Sequence, residues 1–151
     1  TSADPELLVA VSALSTNIGA ADVTDVEWIT TAADKSAGFT LSVRVRYNEA
    51  VTVTGNPTLA VTNGNQGSGG GRGPHTLVYA SGTGTNELVF SLAIAANNNA
   101  TNADDVLTIG AQNIAKPGGA TIKDATGTAS DSAVAISGAQ GTAAGSITVV
   151  A

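Results

Sequence analysis

Chemistry in this chain would have to start from very few groups. The single histidine, His75, follows Gly73-Pro74 at the end of a glycine-rich run. A catalytic base needs a nucleophile beside it and a carboxylate to orient it. Neither stands near His75 in the sequence, and a histidine at a strand edge is the expectation. The run Gly67-Ser68-Gly69-Gly70-Gly71-Arg72-Gly73 invites a phosphate-loop reading. Its spacing puts Arg72 where a dinucleotide-binding turn needs glycine, and neither a Gly-Lys-Ser/Thr nor a helix follows. A flexible connection between two strands is the simpler expectation. Asp104-Asp105, Asp124 and Asp131 are hard oxygen donors in turn-rich segments, and Asp104, Asp105 and Asp124 are the candidate ligands for a structural Ca²⁺, although EF-hand spacing is missing. Glu49 and Glu87 are the carboxylates a paired-acid hydrolase would use, but nothing in the sequence brings them together. Cysteine is absent, which excludes disulfides, thiolate metal sites and cysteine nucleophiles. The expectation is a protein that is not an enzyme, with no cofactor beyond that Ca²⁺.

Charge narrows the partners. The 12 acidic and 6 basic residues leave a net charge of −6 over 151 residues. A general nucleic-acid binder needs clustered Lys and Arg to displace counterions from phosphates, so nucleic acid is not an expected partner. No apolar run approaches the roughly 20 residues of a membrane helix, and no membrane insertion is expected. Asp22, Asp25 and Glu27 beside Trp28 read either as a docking patch for a basic partner or as a solvated stretch ahead of a core tryptophan. Core packing is favoured for the largest apolar side chain present.

The elements that must position these groups are strands. Phe39 to Tyr47 alternates: Phe39, Leu41, Val43, Val45 and Tyr47 share one face, and Thr40, Ser42, Arg44 and Arg46 share the other. Two arginines on the second face mark a sheet with one wet side. Short β-rich runs follow at 51–53, 58–62, 76–80, 87–94, 106–109, 120–123, 133–136 and 146–150, each bounded by Gly, Asn, Pro or Asp. Such spacing predicts an all-β fold, an antiparallel β-sandwich. No segment carries a helix pattern. Apolar residues reach 42%, but alanine inflates that figure, and the aromatics are one Trp, two Tyr and two Phe. The core must therefore be narrow and built from Val, Leu and Ile.

Three ordered motifs resemble a known family. Val45-Arg46-Tyr47-Asn48-Glu49-Ala50-Val51-Thr52-Val53-Thr54-Gly55-Asn56-Pro57-Thr58-Leu59 resembles its opening, Tyr79-Ala80-Ser81-Gly82-Thr83-Gly84-Thr85-Asn86-Glu87-Leu88-Val89-Phe90 its centre, and Gly118-Gly119-Ala120-Thr121-Ile122-Lys123-Asp124-Ala125-Thr126-Gly127 its close. These are similar to the bacterial Ig-like repeats of large surface and motility proteins, including the cyanobacterial swimming type. The resemblance implies an Ig-like sandwich with adhesive or spacer duty and no catalysis. Thr128 and the interposed Ala120 depart from the family pattern. The chain then divides into an N-terminal extension or first strands (1–37), an Ig-like sandwich (38–136), and a Gly/Ala linker with a terminal strand (137–151).

One unit with its own extensions suits a multicopy exterior protein. The expectation is a bacteriophage capsid decoration (cement) protein on the virion exterior. Its partners would be the capsid protein or copies of itself, as a homo-oligomer or lattice component. An N-terminal arm or the terminal Ile147-Thr148-Val149-Val150 would add as a strand to a neighbour's sheet. The alternative is a secreted unit of a bacterial cell-surface adhesin or filament.

Overall fold

The computed structural model describes residues 20–64, 73–125 and 130–151. The β-like start at Leu7 to Leu14, the loop residues 65–72 and the motif residues 126–129 lie outside the described residues. Strands follow in the order β1 (Val23–Trp28), β2 (Ala33–Asp34), β3 (Phe39–Thr54), β4 (Thr58–Gly64), β5 (His75–Ser81), β6 (Thr85–Ile94), β7 (Val106–Thr108), β8 (Gln112–Asn113), β9 (Thr121–Asp124) and β10 (Ala135–Ile136). A short helix, α1 (Gly138–Ala143), precedes β11 (Ser146–Val150).

The strands form one curled sheet in the order β1-β3-β6-β5-β4-β7-β11-β2, with β9 beside the distal half of β3 and a separate β8–β10 ribbon. Among the described residues, all strand pairings are antiparallel except β11 with β2. The fold is thus all-β and sandwich-like, with the sheet curled over its own apolar face.

Alternation decides which face that is. Leu41, Val43, Val45 and Tyr47 of β3 are buried as expected, and meet Leu88 and Phe90 of β6, Leu59 and Val61 of β4, and Leu77 of β5. Tyr79 packs edge-on to Phe90 with ring centroids 6.2 Å apart, a favoured aromatic geometry. Trp28 packs against this core, and its Nε1–H donates to the Gly145 carbonyl at 3.4 Å.

The runs at 39–47 and 51–53 are one strand. The register of β3 against β6 shifts between Arg46 and Val51, so Asn48-Glu49-Ala50 forms the bend expected of polar residues there. Beyond it, β3 meets β6 again at Val51 opposite Thr85 and pairs with β9 from Val51 to Thr54. A bulge in a long strand lets it pair with β1 and β6 before the bend and with β9 after it.

Residues read as flanks are part of the same sheet. β1 and β2 belong to 1–37, and Ala21, Val26 and Ala33 are buried. Residues 137–145, expected as a linker, hold α1. Ser137 caps it: Gln140 N–H donates to Ser137 Oγ at 3.2 Å and Ser137 N–H donates to Gln140 Oε1 at 2.7 Å, a reciprocal capping box. Gln140 Nε2 also donates to the Val23 carbonyl at 2.8 Å, tying the helix to β1. Gly141 is needed where it stands, because a Cβ there would run into the Ile109 carbonyl.

The terminal strand lies in this chain's own sheet, not in a neighbour's as expected. β11 pairs with β7 through Ser146 to Thr148 and with β2 through Val149 and Val150. Its inward Ile147 and Val149 are buried. It completes its own sheet.

Candidate functional sites

Two polar clusters are assembled by this topology. The first lies on the outer face of β1, β3 and β6. Antiparallel register sets Glu27 opposite Arg44 and Arg46 opposite Glu87. Arg44 reaches Glu27 at 2.9 Å and Glu87 at 3.6 Å; Arg46 reaches the same two carboxylates at 2.9 and 3.1 Å. The four side chains are between 32 and 40% exposed, so water screens each pair and a single bridge is worth about 1 kcal/mol or less. The cluster's formal charge is zero. It pins three strands in register and leaves Glu27 committed within the chain. Glu87 is likewise taken by arginine, whereas Glu49 sits in the bend of β3 with Oε1 buried and without a hydrogen-bond partner among the described residues.

The second cluster is buried at the end of the inner face. Alternation along β4 points Asn63 inward after Leu59 and Val61, and His75 opposite Val61 points inward from β5. The loop 95–105 brings Thr101 and Asp105 onto them. His75 is 5% exposed, Asn63 7%, Thr101 1% and Asp105 0%. His75 Nε2 lies 3.1 Å from Thr101 Oγ1 and 3.4 Å from Asn63 Nδ2. Burial pushes the imidazole below its ordinary pKa, and the Asp105 carboxylate opposes that shift in part. A hydroxyl, an imidazole and a carboxylate are the parts of a nucleophilic triad. Here the hydroxyl is sealed in the core, out of a substrate's reach, and the cluster's hydrogen bonds go to the loop it holds. Sequence spacing missed this cluster because its members are separated by chain lengths that only strand pairing closes.

A cavity of about 370 Å³ lies on the solvent side of the same loop, lined by Lys35, Ser36, Asn97, Asn102, Ala103 and Ala151. Lys35 Nζ donates to Asn102 Oδ1 at 2.8 Å.

The candidate calcium ligands are spread. Asp104 is exposed with φ 67°; Asp105 is buried and its Oδ2 accepts from Asn102 N–H at 2.8 Å; Asp124 is buried on β9 opposite Val51. No group of three or more Asp, Glu or His side chains that could hold a metal ion forms among the described residues. No described helix is long and apolar enough to cross a membrane.

The motif residues also hold the scaffold. Tyr79 Oη accepts from Thr83 N–H at 2.8 Å, and Thr83 Oγ1 accepts from Val53 N–H at 2.9 Å, tying the β5–β6 hairpin to the distal half of β3. Gly82 and Gly84 adopt φ of 115° and 82°, a conformation glycine reaches without strain. The chain matches no family model, no curated protein and no solved structure. The resemblance to bacterial Ig-like repeats therefore stands on its three motifs.

Proposed function

We propose that this chain is a non-enzymatic structural protein, a multicopy capsid decoration protein on the exterior of a bacteriophage virion, with the capsid protein and copies of itself as partners. One observation supports it above others: Glu87 and His75, two of the side chains that could do chemistry, are spent on contacts within the chain. Glu27 and Glu87 clamp Arg44 and Arg46, and His75 and Asn63 hold the loop 95–105. The outer face beside the charged cluster supports the same reading. Register sets Ser42, Ser91, Val78 and Thr58 in one row across β3, β6, β5 and β4, and Val78 is 40% exposed. Small side chains on a pleated surface leave a smooth area that a partner covers at little entropic cost.

The alternative, a unit of a secreted bacterial adhesin or filament, draws on the motifs at Val45–Leu59, Tyr79–Phe90 and 118–127. An antibody raised against the purified protein separates the two. Dense labelling of gradient-purified virions, on the outside of the capsid, is the expected result. Labelling of the cell surface with bare virions would overturn the proposal in favour of the adhesin, and labelling of neither would overturn both.

A further inference from the structure

The loop 95–105 ties β2 and β11, at one edge of the sheet, to β4 and β5. Asn97 N–H donates to the Lys35 carbonyl at 2.8 Å, beside the end of β2. Asp104 N–H donates to the Val149 carbonyl at 2.8 Å, and Val149 N–H donates to the Asp105 carbonyl at 2.9 Å. On its inner side, Asn63 Nδ2 donates to the Ala100 carbonyl at 2.8 Å, and Thr101 Oγ1 meets His75 Nε2 at 3.1 Å.

These contacts set the protonation of the ring. The Ala100 carbonyl fixes the orientation of the Asn63 amide, because a flip would set two oxygens 2.8 Å apart. The NH₂ group of Asn63 therefore faces His75 Nε2 at 3.4 Å, and an amide NH₂ only donates. That arrangement suits an Nε2 that presents its lone pair, with the Thr101 hydroxyl donating to it and a neutral ring carrying its proton on Nδ1. A proton added at Nε2 would point N–H at N–H, force the Thr101 hydroxyl to turn, and charge a ring that is 5% exposed. Among the described residues, Asp105 is the charged group that acts on this ring. It favours the imidazolium, but burial outweighs it. Swinging the loop away admits water and removes the penalty.

We propose that the Asn63–His75–Thr101 contact is an acid-released latch: neutral His75 holds the loop 95–105 shut, and uptake of one proton on the ring opens it. Opening frees Val149 of β11 and the Lys35 end of β2, the part of the sheet where pairing is shortest. The latch is independent of which surface the protein decorates.

Amide hydrogen exchange followed by NMR between pH 7.5 and 5 tests it, with each rate corrected for intrinsic exchange. Protection at Thr101, Asn102 and Val149 should fall below pH ~6.5, approaching about tenfold per pH unit, the limit for one proton. Amides in the middle of β3, at Val43 and Val45, should keep their protection, and His75→Gln should flatten the response of the loop. Loop protection that is pH-independent, that falls equally in His75→Gln, or that falls together with β3 would overturn the latch. The ring of this sole histidine gives a second readout that needs no variant. Its C–H resonances should titrate in the folded protein below the ordinary histidine value, and a midpoint at or above about 6.5 would overturn the proposal.

Discussion

Replacing Val149 with alanine measures what the last strand contributes. Val149 is 0% exposed and sits between β7 and β2, whereas its neighbour Val150 is 53% exposed. Val149→Ala removes two buried methyl groups at about 0.8 kcal/mol each and leaves space the core fills only in part, so about 2–3 kcal/mol should be lost. With a urea dependence of about 1–3 kcal/mol per molar, the unfolding midpoint should drop by about 1 M. Val150→Ala should stay within about 0.5 kcal/mol of the parent. Ending the chain after Gly145 removes Ile147 and Val149 together, about 3–6 kcal/mol of side-chain burial. It also strips β2 of its strand partner. Set against a total stability of about 5–15 kcal/mol, that loss should abolish a cooperative transition. Far-UV circular dichroism in urea reads all three variants without relying on Trp28, whose indole touches Gly145. A truncated chain with the parent's midpoint, or a Val149→Ala shift below about 0.2 M, would refute the placement of β11 in its own sheet.

Gly82→Ala should destabilise by more than about 2 kcal/mol, because its Cβ would collide with the Glu87 carbonyl at φ 115°; Gly84→Ala, with φ 82° and open space, should cost only about 1 kcal/mol of backbone strain, and thermal unfolding of the pair checks the difference. Burial holds the Tyr47 phenol neutral well above its ordinary pKa of 10.0, so the unfolded chain loses that proton first as pH rises. Stability from Tyr47 should be intact below about pH 10 and fall by up to about 1.4 kcal/mol per pH unit above it. Tyr47→Phe should weaken that alkaline slope at a cost of about 1 kcal/mol for the lost bond to the Ala133 carbonyl, measured by urea unfolding at pH 8 and 11. Ser137→Ala removes the capping box of α1 and should cost about 1 kcal/mol in the same assay.

Local pattern determined much of this protein. The alternation of Phe39 to Tyr47 assigned the inner and outer faces of β3 because a strand's side chains have a period of two. Turn residues bounded the strands from β4 onward to within about two residues in most cases, and Gly82 and Gly84 announced their positive φ. The capping box of α1 was present as Ser137-Gly138-Ala139-Gln140, but a helix of 6 residues offers too few turns for an apolar period to show. Tertiary structure decided the rest. Which strands neighbour one another depends on how a long β3 bends and changes partners, and so on contacts far apart in the chain. Strand pairing gathered Glu27, Arg44, Arg46 and Glu87 into one neutral cluster, and set Asp124 on β9 opposite Val51 while Asp104 and Asp105 stand on the loop 95–105. It buried His75 against Asn63 and Thr101, residues 12 and 26 positions away. Spacing along a strand predicts faces; only closure of the sheet predicts which residues on a face will meet.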